Sequence, residues 1–183
     1  MQLSIVFGIL GCVALTAAQE HPPMVPPAGP GVFMAKPAGP GAFKLVVTGH
    51  TFTSRGDIEK YLAYRAARLT VEQGGTWFTF NEDRGKGATV PAPVRDPEGP
   101  RYSFRMQYFR PVWRYRTNGS PEWTRWSPFT GAPFISADPK TITDFEVSAE
   151  IVVRKGPMDD ADPLAFEAWA LSDLLVNQVS PPK

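Results

Sequence analysis

The 183 residues carry 19 Lys and Arg against 18 Asp and Glu, a formal net charge of +1, so no global excess points to nucleic acid or an acidic membrane surface. Five Trp, 12 Phe and 5 Tyr can fill a core and argue against disorder in the central part of the chain. A single cysteine, Cys12, excludes an intramolecular disulfide and a thiolate metal cluster, and two histidines, His21 and His50, limit any imidazole-based site.

Residues 1–18 are apolar and uncharged and end in Thr16-Ala17-Ala18, the build of an export signal with a small-residue cleavage site. No Lys or Arg precedes the apolar stretch, which departs from the usual signal. Within it, Ile9-Leu10-Gly11-Cys12 has the form of a lipobox, which makes Cys12 a lipidation candidate. Against that reading, the signal before Cys12 is short and the apolar run continues through Leu15. Cleavage after Ala18 and acylation at Cys12 both stand at this point, as does Cys12 as a small hydrophobe of the signal core.

Residues 19–42 repeat Pro-Ala-Gly-Pro-Gly at 27–31 and 37–41, a composition expected to form an extended linker rather than a helix or a ladder strand. Phe43, Leu45 and Val47 then alternate with more polar neighbours and predict a strand reaching Thr53. Ser54 is placed as a helix N-cap, with Asp57 near the positive end of the dipole. Ile58, Leu62, Ala66 and Leu69 share one helical face, and Gly74-Gly75 ends the helix near Gln73.

A strand follows over Thr76–Phe80, then a Gly-, Pro- and charge-rich loop over 81–100. Tyr102–Arg116 alternates as a long strand, with Pro111 marking a bulge or edge. Asn118-Gly119 is a turn signal, and Glu122–Phe129 is the returning strand. Thr141–Arg154 has the clearest pattern, with Phe145, Val147, Ala149, Ile151 and Val153 facing one way. Beyond Gly156-Pro157, a last helix is expected, capped by Asp160 or Asp162, started by Pro163, with Leu164, Ala168, Leu171, Leu174 and Leu175 as its apolar stripe. The order predicts a single α+β domain over 43–180: a two-layer sandwich whose antiparallel sheet of about four or five strands carries both helices on one face.

Tyr61-Leu62-Ala63-Tyr64-Arg65-Ala66-Ala67-Arg68-Leu69-Thr70-Val71-Glu72-Gln73-Gly74 resembles the helix motif Y-L-x-Y-R-A-A-x-L-T-x-E-x-G of an uncharacterised family of small proteobacterial cell-envelope lipoproteins. Trp77-Phe78, Tyr108-Phe109-Arg110-Pro111, Ser148–Val152 with Gly156-Pro157, and the Asp159–Pro163 turn resemble further stretches of that family. The resemblance implies a lipid on Cys12, a periplasmic or outer-membrane location and no assigned enzyme activity. The early, imperfect lipobox departs from the family pattern. In the helix, Tyr61 and Arg65 stand four apart, so the ring is expected to pack on the guanidinium.

No nucleophile elbow, glycine-rich phosphate loop, H-E-x-x-H or C-x-x-C motif occurs. No catalytic residue, metal ligand or cofactor is assigned; His50 reads as a surface group, and Asp159, Asp160 and Asp162 as acids of a helix start. Residues 101–126 stand above background, because Arg and aromatic side chains interleave there. Arg105, Arg110, Trp113, Arg114, Trp123 and Trp126 are the candidate binding residues of an open sheet face. The competing reading is structural: such a face stacks Arg on aromatics across strands for its own stability, with Glu146 and Glu150 available to neutralise the arginines.

The expected function is a non-catalytic, tethered binding or accessory module of the envelope. Its partner would be an envelope protein or a cell-wall glycan, with the membrane engaged through the lipid on Cys12 and no nucleic acid as client. The alternative is an envelope hydrolase with a carboxylate-based site.

Overall fold

The computed structural model describes residues 32–50, 55–81, 106, 108–118, 120–126 and 142–182. The fold is α+β. Its sheet is antiparallel and has seven strands: β1 (Val32–Gly39), β2 (Ala42–Gly49), β3 (Trp77–Phe80), β4 (Val112–Thr117), β5 (Thr124–Trp126), β6 (Ile142–Arg154) and β7 (Ala165–Glu167). Two helices, α1 (Arg55–Glu72) and α2 (Ala168–Leu175), complete it.

The 13 residues of β6 organise the sheet. On one edge β6 pairs with β2, from Phe145 opposite Gly49 to Val152 opposite Ala42, and β1 adds beyond β2. Two strands share the other edge. β4 takes Ile142–Ser148 and β3 takes Ile151–Arg154; β5 then adds to β4, and β7 to β3. The sheet therefore divides beside Ala149 and Glu150. Alternation along β6 sends Phe145, Val147 and Ile151 into the core beneath the helices.

Helix α1 buries Ile58, Tyr61, Leu62, Ala66 and Leu69, the face expected from its spacing. It ends in a Schellman motif: Gly75 N–H donates to the Thr70 carbonyl and Gly74 N–H to that of Val71, both at 2.8 Å, with Gly74 at φ +68°. A Cβ on Gly75 would collide with Val153, so the helix exit fits against β6 only without a side chain there. Ser54, its expected cap, lies outside the described residues.

Several expectations change. Val32–Gly39, placed in the 19–42 linker, is an edge strand. Its hairpin turns through glycines at positive φ, Gly39 and Gly41, and Pro37 is accepted because the outermost strand need not donate on its free side. Of the strand expected over Tyr102–Arg116, β4 takes up the part from Val112; Phe109 N–H instead closes a tight turn onto the Met106 carbonyl (3.1 Å) before Pro111, and residues 102–105 and 107 lie outside the described residues. The sheet exceeds five strands because of β1 and β7.

The last helix starts at Ala168, not near Asp160 or Asp162. Leu164, Ala165 and Phe166 are buried, and Phe166 stacks on Phe78 with ring centroids 5.6 Å apart, so this segment extends the sheet instead. Glu167 caps α2, accepting from the N–H groups of Trp169 and Ala170. Asp162 accepts from Leu164 N–H (2.9 Å) and the Thr79 hydroxyl (2.8 Å), and Asp159 from Ala161 N–H (3.0 Å), so these acids shape the turn before β7.

The core also contains a charge pair. Arg55 and Glu59, 5 % and 2 % exposed, approach to 3.6 Å on the first turns of α1. The same Glu59 oxygen accepts from the indole N–H of Trp113 on β4 at 3.2 Å. Glu59→Ala removes the buried carboxylate that Arg55 and the Trp113 indole share, and is expected to cost roughly 3 kcal/mol. Trp113→Phe removes the donor together with part of a fully buried ring, and should cost about 2 kcal/mol. Urea denaturation of both variants checks this; a loss under about 1 kcal/mol for Glu59→Ala would show that the pair does not anchor α1 to β4.

Candidate functional site

The helix-free face of the sheet is built by the even-numbered residues of β6 and their cross-strand neighbours. Asp144 and Glu146 stand opposite Arg116 and Arg114 on β4. Both pairs close: Arg114 Nη2 lies 2.9 Å from Glu146 Oε1, and Arg116 Nη2 lies 3.0 Å from Asp144 Oδ2. The expected neutralisation of the arginines thus comes from Glu146 and Asp144. Arg116 also covers the Trp123 ring at 4.7 Å.

Asp144 has further partners. His50 Nδ1–H donates to Oδ1 at 2.8 Å, and the Thr143 hydroxyl to Oδ2 at 3.1 Å. Burial raises the Asp144 carboxyl, but hydrogen bonds from Thr143 and His50 and the nearby charges of Arg116 and His50 outweigh it, leaving the group below its ordinary 3.8. His50, Asp144, Arg116 and Trp123, with Thr48 and Phe145, border a hollow of about 270 Å³.

The acidic ladder of β6 is interrupted at Ser148, where the other edge passes from β4 to β3. A cleft of about 460 Å³ opens there. Lys44 from β2, Arg110 from the turn before β4 and Arg125 from β5 line it, with Asn81, Ser148 and Glu150. Phe80 and Phe109, stacked with centroids 4.0 Å apart and almost wholly buried, close its apolar side. Three cations thus face one carboxylate. Arg125 stands directly opposite Arg114, a like charge already paired with Glu146, and no ion pair engages Arg125 or Lys44 among the described residues. The Ser148 side chain is 5 % exposed, and its hydroxyl has no hydrogen-bond partner among those residues.

The expected platform of Arg110, Trp113, Arg114, Trp123 and Trp126 is not one surface, and Arg105 lies outside the described residues. Trp113 is 1 % exposed in the core, and Trp126 packs edge-on against it at 5.3 Å. The reason is strand geometry: Trp113 and Tyr115 alternate with Arg114 and Arg116, so aromatics and arginines point to opposite faces. Trp123 is half-buried under Arg116, Arg114 is paired with Glu146, and of the five described residues only Arg110 lines the cleft. Arg65 also differs from expectation. It sits over Phe33 of β1 at 4.1 Å, while Tyr61 is buried in the core.

Lys44, Asn81, Arg125, Ser148 and Glu150 do not form a group in the sequence, because only strand order brings their four separate segments to one place. The usable signal was the polar position Ser148 within an otherwise acidic alternation. Compared with known proteins, the chain matches no family model, no curated protein and no solved structure.

A carboxyl lowered on folding stabilises the native state above its unfolded value, and that contribution is lost as pH falls through the folded value. Asp144→Asn should therefore be less stable than the native chain at neutral pH, and the two should converge as pH drops below 3.8. Denaturation midpoints across an acid series check this; a constant gap would show that ionisation of Asp144 contributes nothing.

Proposed function

We propose that this chain is a non-catalytic binding module that holds an anionic group of its partner in the cleft between β3 and β4. The observation behind this reading is the convergence of Lys44, Arg110 and Arg125 on one concavity where β6 offers no carboxylate at Ser148. Guanidinium groups bind carboxylates and phosphates through paired hydrogen bonds, and Lys44 adds a compact charge. The volume suits a small ligand or one unit of a polymer. Export and a tether at Cys12 remain part of the proposal, supported by the signal-like segment 1–18 and the resemblance to envelope lipoproteins. The partner is then an envelope protein or cell-wall glycan bearing negative charge.

Calorimetric titration of the full chain with inorganic phosphate tests the site. Weak, salt-sensitive binding is expected, and Arg125→Glu should reduce it about tenfold or more, the scale of one charge-assisted hydrogen bond. Binding unchanged in both Arg125→Glu and Lys44→Glu would remove the cleft from consideration.

The hydrolase reading has one observation in its favour. Asp144 fixes the tautomer of His50, whose side chain is 78 % exposed at the mouth of the neighbouring hollow, so its Nε2 is an available base. Turnover of activated esters that His50→Ala abolishes would favour this reading over binding alone.

A further inference from the structure

Resting on the anion-binding reading, we infer that the cleft is built for a hydroxylated anion: a sugar acid or a sugar phosphate rather than a bare ion. Cations alone would serve a bare ion, but this cleft also presents Asn81, Ser148 and Glu150. Ionised Glu150 only accepts hydrogen bonds, so it repels a second negative charge and rewards a donor. With three cations around it, the fitting donor is a neutral hydroxyl rather than an ammonium group.

The Ser148 hydroxyl points to the same requirement. It borders the cleft and has no protein partner among the described residues, so it is open to a ligand hydroxyl or an anionic oxygen. Asn81 is held where it can take part, since its backbone N–H donates to the Glu150 carbonyl at 2.8 Å. Its side chain offers both donor and acceptor, the pairing that hydroxyls use. Phe80 and Phe109 close the cleft on its apolar side, so a ligand seated there meets carbon on one side and polar groups on the others. At about 460 Å³ the cleft is also larger than phosphate or acetate needs.

The test compares matched ligands on the full chain by calorimetry: glucuronate against acetate, and glucose 6-phosphate against inorganic phosphate. In at least one pair, the sugar-borne anion should bind about tenfold more tightly than the bare one. Whichever pair shows the gain identifies the anion as carboxylate or phosphate. Glu150→Gln should erase most of that advantage while bare-anion affinity stays level or rises, because the repelling charge is gone. Asn81→Ala, a second variant away from the β6 ladder, should narrow the same gap. Equal affinity for bare and sugar-borne anions in both pairs overturns the inference and leaves the anion-binding reading standing. Absence of binding to all four ligands overturns both.

Discussion

One edge of β6 has to serve two strands. With 13 residues, β6 is longer than any neighbour: β2 covers its first edge, while β4 and β3 divide the second at Ala149 and Glu150. Strands twist as they pair, so two partners on one edge diverge, and the gap between them opens toward the outer face. The cleft lies in that gap. Phe80 and Phe109, each from the end of a segment entering the gap, stack across it and keep water from the core. The same division positions Arg110 just before β4 and Asn81 just after β3.

Holding the halves in register requires something on the helix side. The Arg55–Glu59 pair with Trp113 supplies it, linking the start of α1 to the inward face of β4. Removing two charges from water gives such a pair little net stability, and an apolar replacement of the same shape can be as stable. Its consequence here is positional. A shift of β4 by one residue would send Trp113 outward and leave Glu59 without the indole donor, so mismatched pairing against β6 is penalised. The cleft geometry thus depends on a contact lying on the opposite side of the sheet.

How far the sequence reveals this depends on the range of each interaction. Helix α1, its glycine exit and the two faces of β6 follow from local periodicity, and the structure has them where the pattern places them. The last helix was misplaced because acids before an apolar run read as a cap, whereas burial of Leu164–Phe166 against β3 favoured another strand. Strand β1 was hidden by a Pro/Gly composition that an edge position tolerates. For the site, residue types near 110–125 draw attention to Arg110, which lines the cleft, but reading arginines and tryptophans as one surface ignores the two-residue period. Lys44, Asn81 and Ser148 reach the cleft only through nonlocal pairing, which no single-chain pattern specifies.

The electrostatics of the outer face underlie the proposed preference of the cleft for an anion. A net charge of +1 conceals a local imbalance, because carboxylates and cations on this face are not evenly matched along β6. At Asp144 and Glu146 each arginine has its acid, so an approaching anion gains little there. At Ser148 the ladder holds no acid, and Lys44, Arg110 and Arg125 line one concavity there. Substituting an acid at position 148 would complete the alternation and pair the sheet more regularly, yet it would cancel the field that an anion meets. In the proposed reading, the neutral residue at the centre of the charged ladder is therefore the element of recognition, and Glu150 one step beyond it sets a boundary on how much negative charge the cleft would admit.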